Sequence, residues 1–168
     1  MIKHIKLFVL SIFAVFIFVV RYIMISKDIL QDKYRFEFNV YTITIFIMIS
    51  LIITVGVLIL NVNINYYVIS KLLNKLCNIN VSRNYLKNSL YYTYISAYSI
   101  ANFVLIILGL GTKITSQYFI FISVINYVLV SLLLFLEIKK FNVPNKVNTL
   151  LASLIFLGNG LTILYMML

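Results

Sequence analysis

Residues 40–60 read VYTITIFIMISLIITVGVLIL, 21 consecutive positions without a charge or a proline. A helix rises about 1.5 Å per residue, so roughly 20 such residues cross a hydrocarbon core of roughly 30 Å. Comparable runs flank it at Leu7–Ile25, Leu90–Leu110, Tyr118–Leu136 and Thr149–Leu168, and the five stretches together carry one charge, Arg21. The expected fold class is therefore all-α: a polytopic membrane protein with five transmembrane helices in a single domain covering residues 1–168.

Composition excludes the soluble alternative. Hydrophobic residues make up 63% of the 168 positions and the mean hydropathy is +1.06, far above a soluble domain of this size. No linker, repeat or long polar segment marks a second domain. Abundant Ile, Asn, Lys and Tyr suit an AT-rich coding genome, which weakens any functional reading of a single Asn or Tyr. Cys77 is the one cysteine and His4 the one histidine. That pair excludes an intrachain disulfide and a Cys/His zinc set, so neither a metal nor a cofactor is expected. Lys3, His4 and Lys6 ahead of an apolar run resemble a secretory signal, but Arg21-Tyr22-Ile23-Met24 offers no small-residue cleavage site. An uncleaved signal anchor is expected, with Arg21 snorkelling to the interface.

Charge sets the expected orientation. Lys3, Lys6, Lys71, Lys75, Arg83, Lys87, Lys139, Lys140 and Lys146 fall on one side with Glu137, a net +8. Arg21, Lys27, Lys33, Arg35 and Lys113 fall on the other with Asp28, Asp32 and Glu37, a net +2. By the positive-inside rule the N-terminus is cytoplasmic and the C-terminus outside a cell membrane. The net charge of +10 is spread over juxtamembrane loops without a folded domain to present it. Anionic lipid headgroups are the expected partner, and nucleic acid is not.

Beyond Leu60, the residues Ile64, Val68, Leu72, Leu76 and Ile79 share one helical face, with Asn65, Lys71, Asn74, Lys75 and Asn78 largely off it. A short cytoplasmic amphipathic helix is expected to continue the second span, with Tyr66 and Tyr67 at the interface belt. Tyr67, Lys71 and Lys75 are its candidate interfacial or docking residues.

Within the membrane, Ser89, Thr93, Ala97, Ala101 and Gly109 recur at multiples of four along the third span, interrupted by Leu105. Small residues at this spacing let helix backbones approach closely, so the stripe is expected to be a packing face. Asn102, Asn126 and Asn159 fall near the middle of the last three spans. An amide without a partner in hydrocarbon costs several kcal/mol, which predicts a polar knot joining three helices. Gly158 and Gly160, beside Asn159, would admit a neighbouring backbone or loosen the helix.

Catalytic chemistry has little to build on. The four acids, Asp28, Asp32, Glu37 and Glu137, lie outside the spans, and His4 has no acid or nucleophile beside it in sequence. Asp28 and Asp32, with Lys27 and Lys33 beside them, read as a solvated, self-neutralised loop. With no phosphate-binding glycine loop either, the expectation is a protein that is not an enzyme.

From about Val40 to Leu168 the order of features resembles the Yip (Ypt/Rab-interacting protein) family of five-span membrane proteins, including its bacterial members. The residues that carry the resemblance are Tyr66-Tyr67-Val68-Ile69-Ser70-Lys71-Leu72-Leu73, then Tyr85-Leu86-Lys87-Asn88-Ser89-Leu90 leading into Ser96-Ala97-Tyr98-Ser99. Leu136-Glu137-Ile138-Lys139-Lys140-Phe141 adds a Glu-containing turn before the last helix. Lys75 and Ile100 stand about where the family has a glycine and a proline. The resemblance implies a cytoplasmic N-terminus and, from some bacterial relatives, a link to ABC exporters and resistance to toxic peptides.

The expected function is a non-enzymatic accessory or scaffold subunit that packs through the third-span stripe and the cytoplasmic helix against a membrane-protein partner, a transporter, or as a homo-oligomer. The alternatives are a self-immunity protein against a membrane-active peptide and a small carrier or channel lined by the midplane amides.

Overall fold

The computed structural model describes the backbone of residues 2–25, 40–111 and 116–167, and the side chains of residues 5–24, 41–110, 118 and 120–159. Five helices account for the regular structure among these residues: α1 (Ile2–Ile25), α2 (Val40–Cys77), α3 (Arg83–Gly111), α4 (Ser116–Lys139) and α5 (Asn145–Met167). Among the described residues, four helices are long and apolar enough to cross a membrane: Ile5–Met24, Tyr41–Cys77, Arg83–Leu110 and Ile120–Lys139. The Asp28/Asp32 loop with Lys27, Lys33, Arg35 and Glu37, together with Lys113, lies outside the described residues, as do the side chains of Lys3, His4 and Gly160.

Helix boundaries have local causes. Ser82 precedes α3, and its carbonyl accepts the Leu86 N–H at 3.1 Å, the first turn of the helix. Pro144 precedes α5, where its carbonyl accepts from Val147 and Asn148, both at 3.0 Å. Its missing N–H would have had no helical partner there. Two asparagines close helices in the left-handed conformation, Asn78 after α2 (φ 55) and Asn142 after α4 (φ 56). Asn tolerates that conformation better than most side chains, so the chain can turn away from each helix there. Before Asn142 the chain tightens: Lys140, Phe141 and Asn142 each donate to the carbonyl three residues back.

The expected short amphipathic helix is not a separate element. Val40–Cys77 is one unbroken helix of 38 residues, because no proline or cap interrupts it near Leu60. The face that packs in the chain's own core lies beside the apolar face named from spacing. Val62, Asn65, Ile69 and Leu73 are buried, whereas Ile64 is 59% and Leu76 50% exposed. Both rows have helical spacing, so spacing alone does not phase this part of the helix.

α3 is the hub of the bundle: it packs extensively on α1 and α4 and less on α2, and α5 packs on α4. The main core joins Val62, Ile69 and Leu73 of α2, Leu86, Leu90 and Ala97 of α3, Val130, Leu134 and Ile138 of α4, and Leu151 and Ile155 of α5. A second cluster joins Ala101 and Leu105 to Ile122. Lipid is as apolar as these side chains, so their association rests on close packing and interhelical hydrogen bonds. Two such bonds join α4 to α5: Ser131 Oγ donates to the Ala152 carbonyl, and Asn148 Nδ2 to the Phe135 carbonyl, each at 2.9 Å.

The first half of α2 lies at the edge of this bundle, with Leu58 against the core and Ser50 bonded to Tyr22 of α1. From Tyr41 to Asn61 no residue is buried, and Val62 is the first that is. A Cβ added at Gly56 would meet nothing within 4 Å. Gly56→Ala is therefore expected to stabilise the protein by about 0.4–1 kcal/mol through the unfolded chain and helix propensity, read as a small rise in the thermal midpoint in detergent. A lower midpoint would mean that something outside the chain needs the bare backbone there.

Candidate functional site: a polar layer in the bundle and a basic end

The interior polar groups gather on Tyr94. The α2–α3 turn folds position 65 back against position 94, and Asn65 Nδ2 donates to the Tyr94 hydroxyl, both side chains being buried. The Asn159 side chain from α5 and Tyr127 from α4 lie near the same hydroxyl. One phenol thus bonds to a polar side chain of α2, with polar side chains of α4 and α5 beside it. The sequence offered no reason to single out Tyr94 among 13 tyrosines, and Asn65 had been placed off the apolar face. The spacing of Val62, Asn65, Ile69 and Leu73 was the signal available for it.

Of the three midspan amides, Asn159 lies near this layer and the other two do not meet it. Asn102 is buried, but its Nδ2 donates to the Tyr98 carbonyl at 2.6 Å, one turn back on its own helix. The expected three-way knot does not include Asn102, because its own i−4 carbonyl satisfies the amide donor. Asn102 Oδ1, Asn126 Oδ1 and Thr93 Oγ1 are buried without a hydrogen-bond partner. Gly158 has open space around it, so no neighbouring backbone among the described residues approaches it.

The small-residue stripe lies inside the chain's own bundle. Ser89, Thr93, Ala97 and Ala101 are buried, as is Leu105, while Gly109 is half-buried. Ala97 lies in the main core and Ala101 against α4, so these positions are occupied by intrachain packing.

On the α1 side, Arg21 turns inward where snorkelling was expected: its Nη1 makes a long contact of 3.5 Å with the Tyr98 hydroxyl. Next to it in sequence, Tyr22 accepts a hydrogen bond from Ser50 Oγ of α2 at 3.0 Å. A groove of about 230 Å³ between α1 and α3 is lined by Leu10, Phe13, Ser96, Ser99, Ile100 and Phe103. Its lining is mostly apolar, and Ser99 Oγ already donates to the Ile95 carbonyl at 2.8 Å.

The third feature is the end of the bundle where two turns meet. Tyr85, in the first turn of α3, stacks edge-on against Phe141 of the α4–α5 turn at 5.2 Å between ring centroids. This contact brings Lys71, Lys75, Arg83 and Lys87 to the same end as Lys139, Lys140 and Lys146. Among the described residues Glu137 is the one acid there, and it pairs with Lys140. Tyr67, Lys71 and Lys75 are all exposed, and Lys71 Nζ sits 5.7 Å from the Tyr67 ring centroid. Lys87 reaches across from α3, donating to Asn63 Oδ1 at 2.5 Å and lying 5.3 Å from the Tyr66 ring centroid.

These features define a helical, membrane-spanning protein with a polar interior layer and one strongly basic end. Among the described residues, no three His, Cys, Asp or Glu side chains gather as a metal site would require. Compared with known proteins, the chain matches no family model, no curated sequence and no solved structure.

Proposed function

We propose that this chain is a non-enzymatic accessory subunit of a membrane assembly, with α5 as a fifth span, the basic end in the cytoplasm and the C-terminus outside. The observation that carries the reading is the arm of α2. Residues 41–61 form an apolar helix with no buried position, while the remainder of the same helix is locked into the core. Since the α3 stripe is occupied within the chain, a membrane partner would pack along this arm, where Gly56 leaves bare backbone open to close approach. The resemblance to bacterial Yip-type proteins is compatible with an exporter or a toxic-peptide resistance system as that partner.

A photo-crosslinking side chain at Ile52, which is 66% exposed, is expected to capture another polypeptide during native expression. A crosslinked product of twice the chain's mass would make the partner a second copy. A chain that crosslinks only to lipid and purifies as a lone monomer would overturn the accessory reading. If it also protected a sensitive strain without any transporter, self-immunity would replace it.

A further inference from the structure

We infer that the cytoplasmic end of the α2–α3 hairpin carries a binding site for an anionic phospholipid headgroup. The inference rests on the proposed orientation but not on a protein partner.

The site is built from one face of α2 and a single reach from α3. Asn63, Tyr67, Lys71 and Lys75 follow one another at intervals of four residues, so they form a ribbon along the helix, and all four are exposed. Lys87 closes its side, held by Asn63 Oδ1 at 2.5 Å and by the Tyr66 ring face at 5.3 Å. Both of these partners are neutral, so they fix the ammonium without cancelling its charge. The second ammonium, Lys71, rests on the Tyr67 ring at 5.7 Å. Two cations are thereby positioned on aromatic faces, with two phenols beside them as hydrogen-bond donors.

The charge on this face has no counterpart within the hairpin. From residue 40 to residue 111 the sequence contains no Asp or Glu, yet it carries Lys71, Lys75, Arg83 and Lys87. The acid at this end, Glu137, is engaged by Lys140. Immediately along the helix, Leu60 and Ile64 are 62% and 59% exposed. An occupant must therefore combine a negative polar head with a long apolar body, and lie across the boundary between them. A phospholipid with a net negative headgroup has that shape and charge. Aromatic residues at headgroup depth and basic residues on the cytoplasmic side are the general signs of such contacts.

The test uses the full chain in mild detergent, with an equimolar mixture of phosphatidylglycerol and phosphatidylcholine, and counts retained lipids by native mass spectrometry. Phosphatidylglycerol is expected to be retained preferentially. Each neutralised lysine is expected to reduce that preference by about fivefold, the effect of one basic residue near an anionic surface. Lys71→Gln with Lys87→Gln should therefore remove most of it, Lys140→Gln should leave it intact, and Lys71→Arg with Lys87→Arg should preserve it. Inorganic phosphate should not compete. Equal retention of the two lipids by the wild-type chain would overturn the site without any variant needing to fold. So would a preference unchanged in the double Gln variant, or one abolished by inorganic phosphate. Loss of a protein partner at Ile52 would leave the lipid preference standing.

Discussion

On intact cells Cys77 is expected to be protected from a membrane-impermeant maleimide, and to react once the membrane is opened. The effect is close to all-or-none, and the native chain supplies the probe, since Cys77 is its only cysteine. Cys77 is the last residue of α2, one position before the left-handed Asn78. It therefore sits at the end of the bundle that holds seven Lys and Arg side chains, drawn together by the Tyr85–Phe141 contact. Cytoplasmic placement of that end is the proposed orientation, argued from the positive-inside rule, which counts Lys and Arg in short loops near the spans. Cys77 is half-buried, so a denatured sample is the reference for full reactivity. The complementary variant carries Cys77→Ser with Leu168→Cys, and its new thiol should label on intact cells. Labelling of Cys77 from outside would invert the orientation and remove the premise of the headgroup site.

Tyr94→Ala is expected to destabilise the protein by about 3–5 kcal/mol, the usual consequence of truncating a buried aromatic ring to alanine. The ring lies in the main core, and its hydroxyl accepts from Asn65. Tyr94→Phe separates the two contributions. It keeps the ring but leaves the buried Asn65 amide without its partner, at about 1–3 kcal/mol. Asn65→Leu should cost about 0.6–2 kcal/mol if its bond is a typical interhelical one. The informative result is the double variant. Removing both the Tyr94 hydroxyl and the Asn65 amide leaves fewer unsatisfied groups than either change alone, so the two losses should not add. Denaturation in mixed detergent would measure all four chains. Strict additivity would show that the polar layer does not act as a unit.

What could be read from the residues, and what could not, divides along physical lines. Apolar runs near bilayer length have few alternatives, and the four apolar helices long enough to cross followed from length and missing charge alone. Where the second helix would end was harder, because residues 61–77, though rich in Asn and Lys, hold no proline or glycine that would stop it. Phase was hardest. Ile64/Val68/Leu72/Leu76 and Val62/Asn65/Ile69/Leu73 are rival faces of one helix, and only the meeting with α3 selects the second. That choice determined whether Asn65 faced solvent or Tyr94, and so where the polar layer lay. Asn102 could not be placed for a related reason: a midspan amide can turn to a neighbouring helix or to its own backbone, and the residue type is the same in both cases.

The unbroken α2 has a mechanical consequence. With 38 residues it is about 57 Å long at 1.5 Å per residue. No turn divides it, and its buried positions begin at Val62. It is a beam held firmly at one end and touched along the rest, by Leu58 on the core and by the Ser50–Tyr22 bond to α1. A force applied near Val40 is delivered as torque to the firmly held section, where Asn65 meets Tyr94 and where Lys71 and Lys75 stand. Whatever leans on the outer part of α2 thereby loads the polar layer and the basic end together.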